Sequence, residues 1–228
     1  IIVLSGAVAS DTELDIPVNN PKYNFIANLN DVFKKEKVEY KNPFYFEKTP
    51  KGATLVATVN HTIEEVSKDI LWNSDNFSAE TAFKVAGGKY ANTIGTTQNA
   101  RFMLKDYYEA LGLDVSGVQI FDGSGVSRMN LVTSSFMADA LRLANAKNNI
   151  KKYAPTAGEG TLKNRMRHLV GKLSAKTGTL NGVSSICGFI KAKSGKDLVF
   201  NIIIMNFKQK PVIIKGFEDD IIDKIWKF

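Results

Sequence analysis

Hydrophobic residues return every three to four positions in six segments of the 228-residue chain, and this spacing predicts helices. The segments are residues 24–37, 62–72, 78–85, 98–111, 134–146 and 211–228. Thr62 and Glu65 have the spacing of a capping box, which marks the start of the second helix. In the last segment, Phe217, Ile222 and Ile225 are expected on one face, together with Ile221.

The pattern changes after residue 169, where β-branched and small residues gather in short runs separated by turn residues. The runs are residues 169–179, 183–190 and 198–205, with Asn181-Gly182 and Ser194-Gly195-Lys196 between them. Short connections of this kind predict an antiparallel meander of three strands. Two further short strands are predicted at residues 54–59 and 118–121.

Two short motifs carry the candidate chemistry. Ser74-Asp75-Asn76 lies at the corner between two predicted helices, and Lys176-Thr177-Gly178 lies near the end of the first meander strand. Together with Ser-x-x-Lys, these motifs are the signature of penicillin-binding proteins and class A β-lactamases. No Ser-x-x-Lys occurs in this chain. Two parts of an acyl-transfer site are therefore present, and the nucleophile is not.

The stretches around these motifs extend the similarity. Residues 122–128 (Asp-Gly-Ser-Gly-Val-Ser-Arg), 155–162 and 176–180 resemble the D-alanyl-D-alanine carboxypeptidases of the class C penicillin-binding type, which include endopeptidases. The resemblance implies an α/β fold of the penicillin-binding transpeptidase and serine β-lactamase type, with an antiparallel sheet flanked by helices. It also implies that residues 1–50 end an inserted domain and return to the catalytic domain, whose C-terminal part is residues 51–228.

The resemblance assigns a role to each motif residue. Ser74 would relay a proton towards the leaving nitrogen, Asn76 would donate its amide to the substrate's peptide carbonyl, and Lys176 would place a positive charge beside the terminal carboxylate. The neighbouring substrate-binding residues would be Thr177, Gly178 and Thr179, with Val126 and Leu180 lining a pocket for the penultimate side chain. The backbone N–H of Thr179 would supply half of an oxyanion hole.

These assignments imply a serine-type D-alanyl-D-alanine carboxypeptidase, with endopeptidase activity left open, whose nucleophile lies outside this chain. The remaining alternatives are a serine β-lactamase and a peptidoglycan-binding module without catalysis. Taken alone, Ser74 could instead cap the helix that follows it. Thr81 and Lys84 have the spacing of the missing motif, but they lie on the helix after Ser74 and are not expected to be catalytic.

Composition and charge restrict the classes of molecule that the protein is expected to bind. The net charge of +7 is concentrated between residues 150 and 176, which indicates either a groove that attracts anions or a solvated surface, and the surface is the more common case. No zinc-finger spacing or aromatic ribonucleoprotein motif favours nucleic acid, so an anionic cell-wall polymer is the better candidate. The implied partners are peptidoglycan peptides, β-lactams, the N-terminal remainder of the same protein and, peripherally, a membrane.

No cofactor or metal is implied. His61 and His168 lie far apart in the sequence, and Cys187 has no second cysteine with which to pair, so it is expected to be a small core residue. No apolar stretch approaches the ~18 residues that span a bilayer. The resemblance implies a periplasmic or other extracytoplasmic location, although no export signal is recognised in the chain.

Overall fold

The computed structural model describes residues 18–41 and 47–228, so part of the predicted return segment (residues 1–17 and 42–46) lies outside the described residues. The chain divides into two compact units, Ile1–Thr58 and Val59–Phe228. In the first unit, helix α1 (Pro21–Lys35) begins after Asn20, whose side chain accepts a hydrogen bond from the Tyr23 N–H. The assignment of this unit to an inserted domain stays a prediction.

The second unit contains five of the predicted helices. They are α2 (Ile63–Trp72), α3 (Asn76–Ala91), α4 (Thr97–Ala110), α5 (Ser134–Asn148) and α6 (Pro211–Lys227). The predicted capping box is present at the start of α2, where the Thr62 side chain accepts from the Glu65 N–H and the Glu65 carboxylate accepts from the Thr62 N–H. These bonds satisfy backbone donors that have no partner within the helix.

The predicted meander is confirmed, and its first strand begins at Leu173 and not at residue 169 as predicted. Strands β1 (Leu173–Leu180), β2 (Val183–Lys191) and β3 (Asp197–Met205) pair antiparallel in the order β1-β2-β3. Three short 3₁₀ turns, at Ile150–Tyr153, Gly160–Leu162 and Arg167–Leu169, connect α5 to β1. The result is an antiparallel sheet accompanied by helices, as the fold prediction stated.

The core lies on one face of this sheet. Leu173 and Ala175 of β1, Ile186 of β2 and Phe200 of β3 are buried there, and Ile222 of α6 packs against them with no exposed surface. Burial of each large aliphatic or aromatic side chain stabilises the fold by about 1.5–3 kcal/mol. Strand alternation directs the neighbouring residues, which include Lys176, to the opposite face.

Helix α6 differs from the prediction in its buried face. Phe217 is 57% exposed, whereas Glu218 has no exposed surface. The reason is Arg165, whose guanidinium donates to Glu218 Oε2 at 2.9 Å and to Asp219 Oδ1 at 2.5 Å. A buried carboxylate is tolerated when it is paired in this way.

Three other predictions about local structure are wrong. Residues 54–59 and 118–121 form no strand; in the second stretch only Gln119 pairs, through an isolated bridge to Leu131. Strand propensity depends on a paired and half-buried context, and Leu55 and Val56 are exposed instead. Helix α3 also continues past Gly87 to Ala91, and the lack of a Cβ at Gly87 lets the backbone of α4 approach closely at Ala100.

Candidate active site

Ser74 lies at the corner between α2 and α3. Its φ of +59° is uncommon for a residue with a side chain. The Asp75 N–H donates to the Asp69 carbonyl at 3.2 Å, and the Asp75 carboxylate caps α3 by accepting from the Ser78 N–H at 2.5 Å. Asp75 is therefore the cap, and the interpretation of Ser74 as a helix cap is wrong. The Ser74 hydroxyl is left available for other contacts.

Lys176 makes that contact from the sheet. Its Nζ donates to Ser74 Oγ at 2.6 Å and to the Thr177 carbonyl oxygen at 2.6 Å. The two motifs are 102 residues apart in sequence, and the fold brings them into direct contact. Burial lowers the pKa of Lys176 from its ordinary value, with the neighbouring Cys187 acting in the opposite direction. A partly desolvated ammonium interacts more strongly with an anion than one in bulk water.

Strand β1 is the outer strand of the sheet, and its edge is available to a ligand. The Ala175 N–H donates to the Pro155 carbonyl at 2.9 Å, which lies on the side away from β2. Alternate residues of a strand direct their N–H groups to the same side. The N–H groups of Thr177 and Thr179 therefore point to the outer edge, where no strand of the described residues covers them. An N–H group that is accessible to a ligand is one requirement of an oxyanion donor.

The predicted substrate-binding residues divide between the two faces of β1. Lys176, Gly178 and Leu180 share one face, whereas Thr177 and Thr179 share the face of the core. A Cβ at Gly178 would lie 2.6 Å from Ser185 Oγ across the ladder, so a larger residue there would require the Ser185 side chain to move. A ligand that lies along the edge of β1 can contact residues of both faces.

Among the described residues, no side-chain hydrogen bond joins Asn76 to Ser74 or Lys176, and Val126 has an apolar side chain that can form none. Asn76 is the first residue of α3 and is exposed, two positions after Ser74. No side-chain hydrogen bond of Asn76 is present within the described part of the chain. Val126 is half exposed in the loop of residues 122–131. Their roles, and that of Leu180, stay predictions.

The loop of residues 122–131 is organised by Asp122. One carboxylate oxygen accepts from the Gly125 N–H at 2.5 Å and from Asn130 Nδ2 at 3.2 Å, and the other accepts from the Ser127 N–H at 2.6 Å. Burial alone would raise the pKa of Asp122, but these hydrogen bonds and one from Ser124 lower it. The loop is therefore held in shape by a charged centre that sequence reasoning did not single out.

Two contacts join this loop to the site. A Cβ at Gly123 would lie 2.4 Å from Phe83 Cβ, so only glycine lets the loop lie against α3, where the Gly123 N–H donates to Glu80 at 2.6 Å. At the other end, the Arg128 guanidinium donates to the Asn181 carbonyl in the β1–β2 turn. The loop thus extends from the helix of Asn76 to the turn that follows Leu180.

Replacement of Asp122 by alanine should lower stability by about 2–3 kcal/mol, because it removes four hydrogen bonds to a charged and partly buried group. The matched control is Asp114→Ala, since exposed Asp114 accepts only from Ser116 among the described residues and its loss should cost less than about 0.5 kcal/mol. Thermal unfolding measures both.

The pH dependence gives a second check. The folded pKa of Asp122 is below its unfolded value, so its contribution is complete above about pH 4 and is lost as the pH falls through the folded pKa. The difference in melting temperature between the wild type and Asp122→Ala should therefore shrink in acid. Equal melting temperatures at neutral pH would contradict the role of Asp122.

The other candidate residues have structural partners. Lys84 pairs with Glu80 at 2.9 Å, so it is engaged away from Thr81. His168 Nε2 lies 2.7 Å from Asp223 Oδ1, and burial raises the pKa of Cys187 to about 11, which makes its thiol a poor nucleophile. Within residues 18–41 and 47–228, no group of three potential metal ligands occurs, and no helix is long and apolar enough to cross a membrane.

The basic run of residues 150–176 does not form a single groove. Lys152 pairs with Glu64 at 3.0 Å, Arg165 is buried against α6, and Lys176 faces Ser74. A cavity of about 740 Å³ lies elsewhere, between α4, α5 and residues 115–132. Its lining is mostly apolar and includes Leu104 and Phe136.

Known proteins with similar sequences include D-alanyl-D-alanine carboxypeptidases. A D-alanyl-D-alanine carboxypeptidase of Actinomadura sp. (strain R39) is 35% identical over 158 residues, which are 63% of this chain and 29% of the relative. The carboxypeptidase DacB of Haemophilus influenzae is 27% identical over 198 residues, 80% of this chain and 41% of the relative. The chain thus spans less than half the length of these curated relatives.

Solved structures share the fold. Penicillin-binding protein 4 (dacB) of Haemophilus influenzae, in a complex with a β-lactam, superposes with a TM-score of 0.81 at 24% identity, over 93% of this chain and 53% of that one. An extended-spectrum β-lactamase superposes with a TM-score of 0.52 at 19% identity, over 73% of this chain and 64% of that one. The model of the D-Ala-D-Ala carboxypeptidase 3 (S13) family matches residues 1–217. The chain belongs to this family.

Proposed function

We propose that the protein carrying this chain is a serine-type D-alanyl-D-alanine carboxypeptidase that acts on peptidoglycan peptides outside the cytoplasm. The observation that carries the proposal is the 2.6 Å hydrogen bond from Lys176 Nζ to Ser74 Oγ beside the outer edge of β1. This contact supports a site in which a charge, a proton relay and backbone N–H donors would surround one cleft. An extended peptide can lie along the edge of β1 as an added strand.

The reaction is acyl transfer in two stages. A serine hydroxyl attacks the carbonyl carbon of the penultimate D-alanine, and the N–H of Thr179 would stabilise the oxyanion that forms. Ser74, which can both accept and donate a proton, would pass a proton to the departing amine of the terminal D-alanine. Water then hydrolyses the ester and restores the serine.

Lys176 would act mainly through charge. Its ammonium would face the terminal carboxylate of a substrate bound beside Thr177 and Thr179, and its hydrogen bond with Ser74 Oγ would orient the Ser74 hydroxyl. Because burial lowers the pKa of Lys176, its ammonium should lose its proton at a pH below the ordinary lysine pKa of about 10.4. Since the proposed role requires the protonated ammonium, kcat/KM should fall as the pH rises through the lowered pKa.

We place the nucleophile and its lysine on a helix outside this chain. The cavity between α4, α5 and residues 115–132 has the apolar lining that suits the buried face of a helix. Its lining is connected to the helix that begins at Asn76, since Ile120 lines the cavity and the Gly123 N–H, three residues later, donates to Glu80 of that helix. The relatives are long enough to supply such a helix from their remaining sequence.

The direct test uses the longer protein. It should release D-alanine from a peptide that ends in D-Ala-D-Ala, and labelled penicillin should form a covalent adduct with it. Rapid loss of the penicilloyl adduct, without action on the peptide, would favour a β-lactamase. Binding of peptidoglycan without any adduct would favour a module that has lost catalysis.

Replacement of Thr179 by valine should lower kcat/KM about 10- to 100-fold, because one hydrogen bond to a charged carboxylate is lost. Valine keeps the β-branched shape that suits a strand, and Thr179 is exposed, so the melting temperature should change little. Steady-state kinetics and thermal unfolding measure the two effects. A large loss of stability with unchanged kcat/KM would show that the residue is structural.

A further inference from the structure

The end of the sheet farthest from the β1–β2 turn carries four exposed lysines. This lysine cluster consists of Lys172, Lys191, Lys193 and Lys196. Backbone hydrogen bonds fix its members: the Lys191 N–H donates to the Lys172 carbonyl at 2.9 Å, and the Ala192 N–H donates to the Lys196 carbonyl at 2.9 Å. The cluster is therefore a property of the fold and not of mobile side chains alone.

Aromatic rings at the end of α6 hold three of these side chains. Lys193 Nζ lies 4.5 Å and Lys172 Nζ 5.3 Å from the centroid of the Trp226 ring. Lys196 Nζ lies 5.4 Å from the centroid of the Phe228 ring. Cation–π contacts of this kind keep several ammonium groups close together despite their repulsion.

The cluster has little compensating negative charge. None of its lysines forms an ion pair with a carboxylate in the described part of the chain, and the nearby Asp223 contacts His168 instead. Asp197 is opposite Lys191 in the register. Lysines elsewhere do pair with carboxylates, namely Lys84, Lys105 and Lys152. The sheet end is thus a local concentration of the positive charge of the chain.

We propose that the lysine cluster binds the surface of a bilayer that contains anionic phospholipids. Ammonium groups bind phosphate as point charges, and several lysines close to such a surface add their attraction. Phe228, which is 71% exposed beside Lys196, supplies an apolar side chain at the depth of the headgroups. Two ammonium groups already contact the Trp226 ring, so it is less suited to stack on a sugar of a polysaccharide.

This contact would orient the site. The eight residues of β1 span roughly 25 Å, which separates the lysine cluster from Thr179 and from the turn that Arg128 contacts. A protein molecule that binds the bilayer through the lysine cluster would keep its β1–β2 turn directed away from the lipid. The proposal concerns a surface outside the site and does not depend on the proposed catalytic function.

The experiment measures sedimentation of the protein that carries this chain with two kinds of vesicle. Vesicles of equal parts phosphatidylglycerol and phosphatidylcholine should bind it, and pure phosphatidylcholine vesicles should not. The variant Lys193→Gln with Lys196→Gln should bind the anionic vesicles about 25-fold more weakly, since each lysine contributes about fivefold. Binding should also disappear at about 1 M salt, where the screening length is about 3 Å.

The matched control is Lys68→Gln with Lys89→Gln, which removes the same charge from the exposed surfaces of α2 and α3. It should leave vesicle binding within about twofold of the wild type. Equal losses in the two double variants would overturn the proposal in favour of net charge. Binding to isolated peptidoglycan but not to anionic vesicles would overturn it in favour of a wall polymer. Penicillin labelling of both variants should remain at the wild-type level.

Discussion

Replacement of Lys176 by alanine in the complete protein should slow acylation by both penicillin and peptide about 10²- to 10³-fold, the usual cost of losing one preorganised donor or charge in such a site. The alanine variant loses the bond to Ser74 Oγ and the bond to the Thr177 carbonyl oxygen. It also loses the charge that would face the substrate carboxylate. Rapid-mixing kinetics with labelled penicillin measures the effect.

Lys172→Ala is the matched control, since this exposed lysine precedes β1 by one residue and makes no contact with Ser74. Its acylation rate should stay close to that of the wild type. Lys176→Arg should keep the charge but lose part of the rate, because a planar guanidinium cannot reproduce both 2.6 Å bonds. Acylation of Lys176→Ala at the wild-type rate would remove Lys176 from the site.

Much of the fold follows from local pattern. The capping box at Thr62 and Glu65, the turn at Asn181-Gly182 and the β-branched run of β3 each have a strong local signal, and each appears as predicted. Signals of this kind are reliable because the residues that form them are near neighbours in sequence. Where the structure of a stretch depends on a residue that is distant in sequence, the local pattern is not sufficient to predict it.

The wrong predictions concern stretches whose structure depends on residues that are distant in sequence. Residues 54–59 have the composition of a strand, but a strand requires another strand beside it, and the described residues supply none. In α6, periodicity favours burial of Phe217, whereas a single distant guanidinium, that of Arg165, draws Glu218 inward. Arg165 and Glu218 are 53 residues apart, so their ion pair cannot be predicted from the periodicity of hydrophobic residues.

The candidate site also has some features that the sequence predicts and others that it does not. The sequence motifs predict that Ser74 and Lys176 are neighbours, and their side chains are in contact. The positive φ of Ser74 and the hydrogen bonds around Asp122 could not be read from residue types, because each depends on the three-dimensional course of a loop. Asp122 and Asn130 are polar residues close to glycines, which is common in ordinary turns.

The largest expected effect concerns the missing nucleophile. Residues 1–228 alone should form no covalent adduct with penicillin, whereas the complete protein should be labelled stoichiometrically. A serine three residues before a lysine on one helical face lets the lysine take the hydroxyl proton, and no serine of this chain has that spacing. Thr81 has it, but Lys84 pairs with Glu80 at 2.9 Å. Mass spectrometry of the intact chain after treatment with labelled penicillin is the measurement.

If the isolated chain forms no adduct, reconstitution with the rest of the protein tests whether the nucleophile lies there. Co-expression with the part of the protein that contains Ser-x-x-Lys should restore an adduct, located by peptide mapping on the serine of that part. Lys176→Ala in the 228-residue chain should then slow the restored reaction, because the two parts form one site. A stoichiometric adduct on any residue between 1 and 228 would contradict the division of the site. Absence of labelling in the complete protein would instead contradict acyl transfer itself, and the two failures are therefore distinguishable.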